Sequence, residues 1–130
     1  MSKKVLVVDD DPDVITFNVS VLEENGYSTL TARNGEEGLK KIKEEKPDLV
    51  ILDVLMPKQS GIRLYRELKT DKALESTRVI ILSGIAKKTF LRSQKALTEF
   101  GGGSVPEPEI YLEKPVEAEE LAQAVKSIIG

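Results

Sequence analysis

Short apolar runs alternate with segments of helical spacing along this chain. Unbroken apolar residues occupy positions 5–8, 49–52, 79–82 and 110–112. Such runs are typical of strands in a parallel sheet that is covered on both faces. A fifth run at 27–32 mixes polar and apolar residues, which predicts a strand at the edge of the sheet.

Capping residues indicate where the helices between these strands begin and end. Asp11 predicts the N-cap of a first helix that ends at Gly26. Asn34, with Glu37 three residues later, predicts a capping box for a second helix, which Pro47 ends. The apolar positions of the predicted helices are Val14, Ile15, Val19 and Leu22; Leu39 and Ile42; Ile62, Leu64, Tyr65 and Leu68; Phe90, Leu91 and Leu97 within 87–100; and Leu121, Val125 and Ile128.

The remaining segments are predicted to be irregular. Residues 58–61 indicate a loop, and the Gly- and Pro-rich residues 101–109 indicate a linker. Five strands that alternate with five helices predict the α/β class, with a doubly wound, five-stranded parallel sheet and helices on both faces. We expect the flavodoxin-like strand order 2-1-3-4-5 in one domain that spans residues 1–130.

The composition excludes several classes of function. The chain has 130 residues, with 19 basic against 22 acidic side chains and a net charge of −3. It has no long basic run, so we expect no direct binding to nucleic acid. Without His or Cys, it cannot form a disulfide, a Ser-His-Asp or Cys-His triad, or a His metal site. No apolar run is long enough for a membrane span or a signal peptide, which predicts a cytoplasmic protein.

Polar residues stand where four of the five strands end. Asp9 and Asp10 follow the first strand, Asp53 the third, Ser83 the fourth and Lys114 the fifth. Because ligands of such sheets bind beyond the carboxyl ends of the strands, these side chains are expected to meet. Three carboxylates repel one another unless a hard cation lies among them, and oxygen ligands favour Mg²⁺ or Mn²⁺ over zinc.

An ammonium and a hydroxyl beside the carboxylates suit the oxygens of a phosphoryl group. Lys114 and Ser83 would supply them, and Asp53 would then attack phosphorus as the nucleophile. The chemistry predicted from the residues alone is therefore phosphoryl transfer to Asp53.

Four motifs in this order resemble the receiver domain of two-component response regulators. They are VVDDDP at 7–12, DVLMP at 53–57 with Gly61, Ser83-Gly84, and Lys114-Pro115. The resemblance covers essentially the whole chain. Because no residues follow the last predicted helix, we expect a stand-alone receiver. A receiver cut from a larger regulator or hybrid kinase would have the same sequence pattern.

The resemblance implies a role for each residue at the strand ends. Asp53 would accept a phosphoryl group from a phosphohistidine of a partner histidine kinase or phosphotransfer protein. Asp10, Asp53 and the backbone carbonyl of Leu55 would coordinate Mg²⁺, with Asp9 acting largely through water. Lys114 would neutralise the phosphoryl group, and its bond to Pro115 would be cis.

By the same resemblance, Ser83 would be the switch hydroxyl and Tyr111 the switch aromatic, whose ring turns inward when Ser83 moves to the phosphoryl group. The altered surface would bind an unidentified downstream protein, and a phosphorylation-dependent dimer is left open. No external substrate would be turned over. Each residue also has an ordinary interpretation: Ser83-Gly84 is a common turn, Tyr111 a packed strand residue, and Lys114 a surface lysine.

This chain departs from the family pattern in two places. Lys114 follows Ser83 by 31 positions, more than the family usually has, so the family's output geometry cannot be transferred to this chain. Leu55 and Ile85 stand two residues after Asp53 and Ser83, at positions that influence phosphoaspartate hydrolysis in relatives. Both are apolar, and our hypothesis is that they hinder attacking water and prolong the phosphorylated state.

Two other functions remain as alternatives. A haloacid-dehalogenase-like phosphohydrolase would need Asp9 as nucleophile and Asp11 as acid, but Pro12 and Asp13 replace the usual following residues. A flavodoxin-like flavin carrier would need a phosphate-binding loop rich in Ser, Thr and Gly after the first strand. The carboxylates of residues 9–11 would repel that phosphate.

Overall fold

In the described part of the chain, five strands and five α-helices alternate along the sequence. The computed structural model describes residues 2–99 and 105–130. The strands are β1 (Lys4–Val8), β2 (Ser28–Ala32), β3 (Leu49–Leu52), β4 (Val79–Ser83) and β5 (Ile110–Glu113). The helices are α1 (Pro12–Glu24), α2 (Gly35–Glu45), α3 (Ser60–Thr70), α4 (Lys87–Glu99) and α5 (Ala118–Ile129).

All strand pairings are parallel, and the sheet has the order β2-β1-β3-β4-β5. The predicted fold class, strand order and edge position of β2 are therefore confirmed. In the part of the chain that the structure describes, no helix has the length and apolar character needed to cross a membrane.

Helices cover both faces of the sheet, as predicted. In β1, Leu6 and Val8 point into a core cluster with residues of α2, α3 and α4. Val5 and Val7 point the other way, into a second cluster with residues of α1 and α5. Since every residue of β3 and β4 is buried, the apolar runs without alternation are explained by burial on both faces.

The register aligns the carboxyl ends of the strands. Val8 pairs with Leu52 across β1 and β3, and Ser83 pairs with Glu113 across β4 and β5. Backbone hydrogen bonds continue one residue further, because the N–H of Asp53 donates to the carbonyl of Val8 at 3.0 Å. The residues that follow the strands are thus held at the same edge of the sheet.

The caps of α1 and α2 were largely predictable. The Asp11 carboxylate accepts a backbone N–H from the first turn of α1 at 2.9 Å, and Gly26 follows the helix with a φ of +87°. The side chain of Asn34 accepts the N–H of Glu37 at 2.8 Å. The return bond of the predicted capping box is different, because Glu37 accepts the N–H of Arg33, at 3.4 Å.

The prediction of a loop at 58–61 was wrong. A single 3₁₀ turn spans Pro57–Gln59, and α3 already begins at Ser60. The first turn of α3 lies directly against the chain that follows β3: a Cβ atom added to Gly61 would collide with the carbonyl oxygen of Asp53 and lie 2.7 Å from the Cα of Val54. Gly61 therefore allows α3 to pack closely against the chain after β3. Its sequence context does not distinguish this role from that of a glycine in a loop.

Several predicted apolar positions are not fully buried, including Val14 and Val19 on α1. Leu97 on α4 is 40% exposed, whereas Phe90 on the same helix is buried. On α5, Ile129 is buried and Ile128 is only partly covered. Of the segment predicted to end α4 and to form the linker, residues 100–104 lie outside the described residues, so those expectations stay predictions.

We expect Gly61→Ala to lower the free energy of unfolding by about 1–3 kcal/mol, since the methyl group would press on backbone that cannot move aside. Gly84→Ala is the matched control, because the nearest atom to its added Cβ, a methyl carbon of Leu55, is 4.0 Å away. Urea unfolding of both variants checks this, and equal midpoints would contradict the close approach.

Candidate functional site

Three carboxylates meet at the carboxyl ends of β1 and β3. Asp9, Asp10 and Asp53 each offer an oxygen, and these oxygens all lie within 4.8 Å of one another. Asp9 and Asp53 are buried, whereas Asp10 is exposed. The structure therefore brings together the three acids that were predicted from the strand ends. Asp10 also lines a groove of about 560 Å³ between the starts of α2 and α3, so solvent has access to this side of the cluster.

One lysine joins the two buried carboxylates. The Nζ of Lys114 lies 3.0 Å from Oδ2 of Asp9 and 3.2 Å from Oδ2 of Asp53. The lysine follows β5, where its backbone N–H donates to the carbonyl of Ser83 at 2.8 Å, and its peptide bond to Pro115 is cis, as predicted. The ammonium thus compensates charges from two other strands.

Backbone donors satisfy the second oxygen of each buried carboxylate. The N–H of Asp11 donates to Oδ1 of Asp9 at 2.9 Å, and the N–H of Leu55 donates to Oδ1 of Asp53 at 2.8 Å. Both bonds join residues two positions apart, so the turns after β1 and β3 fix the orientation of the carboxylates. Each buried carboxylate therefore has one backbone partner and one ammonium partner.

The pKa values of Asp9 and Lys114 are both raised, for different reasons. Burial raises the pKa of Asp9, and the hydrogen bonds from Asp11 and Lys114 only partly offset it, while the nearby charge of Asp53 raises it further. For Lys114, burial lowers the pKa, but the hydrogen bond and charges of Asp9 and Asp53 outweigh it, so the net shift is upward. The lysine therefore stays charged at neutral pH.

Ser83 and Tyr111 are both hydrogen-bonded to Ile85, in the connection between β4 and α4. Ser83 is fully buried, and its Oγ accepts the N–H of Ile85 at 3.3 Å. The hydroxyl of Tyr111 donates to the carbonyl of Ile85 at 2.6 Å, and burial raises its pKa to about 12. The structure thus places Tyr111 against the β4–α4 connection and not against the carboxylates.

An apolar groove that the sequence did not reveal adjoins Lys114 on the side of α1. It has a volume of about 310 Å³, and Phe17, Asn18 and Val116 are among its lining residues. Phe17 is 40% exposed, whereas Asn18 is buried and its Oδ1 has no hydrogen-bond partner among the described residues. The sequence signal for this groove was Asn18, a polar residue among the apolar positions of α1.

Comparisons with known proteins agree with the fold. Residues 5–126 match the family model described as "Response regulator receiver domain". The chain is 38% identical over 129 residues to the alkaline phosphatase synthesis transcriptional regulatory protein PhoP of Bacillus subtilis, covering 99% of this chain and 49% of PhoP. It is 30% identical over 130 residues to the polar-differentiation response regulator DivK of Brucella anthropi, covering 100% of this chain and 98% of DivK.

A solved structure gives the same result. The response regulator signal receiver domain from Bermanella marisrubri superposes with a TM-score of 0.80 at 28% identity, and the match covers the whole of both chains. The chain belongs to the response regulator receiver domain family, whose members are signalling domains of two-component systems. It spans about half the length of PhoP, as the 49% coverage shows.

We expect Asp9→Asn to be more stable than the wild type at neutral pH. The pKa of Asp9 lies above its ordinary value of 3.8, so the folded state binds this proton more readily than the unfolded chain. The contribution of Asp9 to stability therefore falls as pH rises from 3.8 through its raised pKa, and the amide removes that loss.

Urea unfolding at mildly acidic and at neutral pH, with a metal chelator present, measures this effect. Asp11→Asn is the matched control, because Asn caps a helix as well as Asp. An Asp9→Asn variant that is less stable than wild type at neutral pH would show that the ion pair with Lys114 outweighs burial.

Proposed function

We propose that this chain is a phosphoacceptor switch, in which Asp53 takes a phosphoryl group from a phosphohistidine of a histidine kinase or phosphotransfer protein. The observation that carries the proposal is the pairing of the buried Asp53 carboxylate with the ammonium of Lys114, 3.2 Å away, inside a cluster of acids. Membership of the receiver family supports the same function.

The transfer exchanges one bond to phosphorus for another. A carboxylate oxygen of Asp53 forms the new O–P bond while the P–N bond to the imidazole of the donor breaks, and the electron pair of that bond stays on the nitrogen. Because a carboxylate is a weak nucleophile, positioning and charge neutralisation supply the catalysis. The turn bond from Leu55 orients the carboxylate, and Lys114 neutralises the negative charge of the incoming group.

The acidic cluster fits a hard divalent cation. All of its donors are oxygens, three of them lie within 4.8 Å of one another, and Asp10 keeps one side open to solvent. We propose that Asp10, Asp53 and the backbone carbonyl of Leu55 hold Mg²⁺, with Asp9 acting through water, and that Mn²⁺ fits the same ligands. When bound, the cation would neutralise charge on the phosphoryl oxygens.

Phosphorylation would act on the switch through the bonds at Ile85. Ser83 would give up the bond that it accepts from the N–H of Ile85 and donate its hydroxyl to a phosphoryl oxygen. Tyr111 would follow, because its hydroxyl donates to the carbonyl of Ile85. The ring would turn inward, and one of two pre-existing conformations would be stabilised. An unidentified downstream protein would bind the altered surface, and a phosphorylation-dependent dimer is a further outcome of that change.

The remaining parts of the proposal concern the protein as a whole. Residues 1–130 would form a single receiver domain in the cytoplasm, without membrane insertion or direct nucleic-acid binding. Its chemistry would be limited to gaining and losing the phosphoryl group on its own aspartate, and it would turn over no external substrate. The phosphohydrolase alternative is not favoured, because it needs Asp11 as an acid and that carboxylate caps α1.

Incubation with Mg²⁺ and acetyl phosphate should add one phosphoryl group to the protein. Intact mass and borohydride trapping would locate the adduct at Asp53, because this is the carboxylate paired with both Leu55 and Lys114. Chelation of the metal and the variant Asp53→Ala should each abolish the adduct, whereas Asp11→Asn should retain it. An adduct that survives in Asp53→Ala but vanishes in Asp9→Ala would overturn the assignment.

The phosphorylated state should be long-lived, because the residues two positions after Asp53 and Ser83, Leu55 and Ile85, are apolar and would not assist an attacking water. Leu55 is 59% exposed, and one of its methyl carbons lies 4.0 Å from where a Cβ of Gly84 would stand, so it extends from β3 toward the end of β4. We expect faster release of phosphate from a Leu55→Asn, Ile85→Glu variant than from wild type. Equal lifetimes would show that these residues do not shield the aspartyl phosphate.

A further inference from the structure

A stack of three aromatic rings runs from β5 through α4 to α3. The ring centroids of Tyr111 and Phe90 are 5.5 Å apart, and those of Phe90 and Tyr65 are 5.6 Å apart in an edge-to-face arrangement. Phe90 and Tyr65 are fully buried. Because protein cores are close-packed, the partly buried ring of Tyr111 cannot turn inward unless Phe90 also moves.

One end of the stack is bonded to the β4–α4 connection. The Tyr111 hydroxyl donates to the Ile85 carbonyl at 2.6 Å, and the Ile85 N–H donates to Oγ of Ser83 at 3.3 Å. A movement of the Ser83 hydroxyl therefore removes a bond that fixes the backbone to which Tyr111 is attached.

The other end of the stack is bonded to the segment 105–109, which leads into β5. The Tyr65 hydroxyl donates to the Pro106 carbonyl at 2.6 Å. A buried tyrosine hydroxyl needs such a partner, and burial accordingly raises the pKa of Tyr65. The segment thus has a direct hydrogen bond to α3.

The other attachments of the segment 105–109 differ in strength. Glu109 is bonded twice to Val79 of β4: its N–H donates to the carbonyl at 3.1 Å, and its carboxylate accepts the N–H at 2.7 Å. Glu107 forms an ion pair with Lys87 at 3.4 Å, but both side chains are more than half exposed, so this pair contributes little. Glu109 therefore anchors the end next to β5, and the part around Pro106 is held by the Tyr65 bond together with the packing of Val105 against the core.

We propose that phosphorylation of Asp53 releases the residues around Pro106 from α3 through this aromatic stack. The inference rests on the proposed function. Once Ser83 is drawn to the phosphoryl group, Ile85 and Tyr111 move together, Phe90 and Tyr65 repack, and the bond from Tyr65 to Pro106 opens. Packed cores have discrete alternative arrangements, so a small shift at one end is transmitted as a change of state at the other.

A spin label on the segment tests the release. The chain has no cysteine, so Glu107→Cys provides a single attachment site for a nitroxide in the 130-residue chain. The resting protein should give an immobile spectral component, because Pro106 is held, and Mg²⁺ with acetyl phosphate should abolish that component. A label at Lys43→Cys, on the exposed side of α2, is the reference that should not change.

Substitutions within the stack separate coupling from general loosening. Tyr65→Phe keeps the ring but removes the hydroxyl, so the Glu107 label should be mobile even without phosphorylation. Phe90→Leu interrupts the stack, so the label should stay immobile after phosphorylation. Tyr27→Phe, a tyrosine packed in the opposite core cluster, should behave like the wild type.

Intact mass, measured on each labelled sample, distinguishes failure of the inference from failure of the proposed function. A spectrum that is unchanged in protein shown to be phosphorylated would overturn the inference and leave the proposed function standing. A label that is mobile before phosphorylation in the presence of Tyr65, or that is immobile in Tyr65→Phe, would also overturn it. If Asp53 takes up no phosphoryl group, both fail.

Discussion

Two buried carboxylates share one ammonium in this protein, and the arrangement of the site depends on that compensation. Asp9 and Asp53 come from adjacent strands, and neither could be buried so close to the other without Lys114. Without Lys114 both carboxylates would be left uncompensated, and losing the counter-ion of a fully buried charge costs about 3–5 kcal/mol. The cost here is smaller, because the Lys114 side chain is 25% exposed. The pairing still requires the ends of β1, β3 and β5 to stay in register, so the site and the sheet stabilise each other.

The same geometry explains why a chemical event at one atom can alter a distant surface. Ile85 receives a bond from Tyr111 and donates one to Ser83, so the first residues after β4 depend on the state of the site. From there the contacts run through side chains that fill the core between the sheet, α3 and α4. Such coupling needs no flexible hinge, since rigid packing transmits a displacement better than a loose contact does.

The sequence predicted the parts of this structure that depend on local pattern. Apolar runs without alternation identified the central strands, and the shared edge of a parallel sheet placed Asp9, Asp10, Asp53 and Lys114 near one another. Contacts between distant elements were not predictable. The stack of Phe90 with Tyr65 and the close approach of Gly61 to Asp53 join residues on different elements, and helical spacing shows only which face is apolar. For this reason the segment 58–61 was misread as a loop.

The division of the core by the sheet has a consequence for how such a protein can change over evolution. The aromatic stack lies in the cluster beneath α2, α3 and α4, whereas the groove around Phe17 and Val116 is bordered by α1 and the cluster beneath α5. Substitutions on opposite sides of the sheet share few partners, so their effects should be nearly additive. One face can therefore acquire a new binding specificity while the other keeps its own, provided that the sheet shared by both faces is preserved.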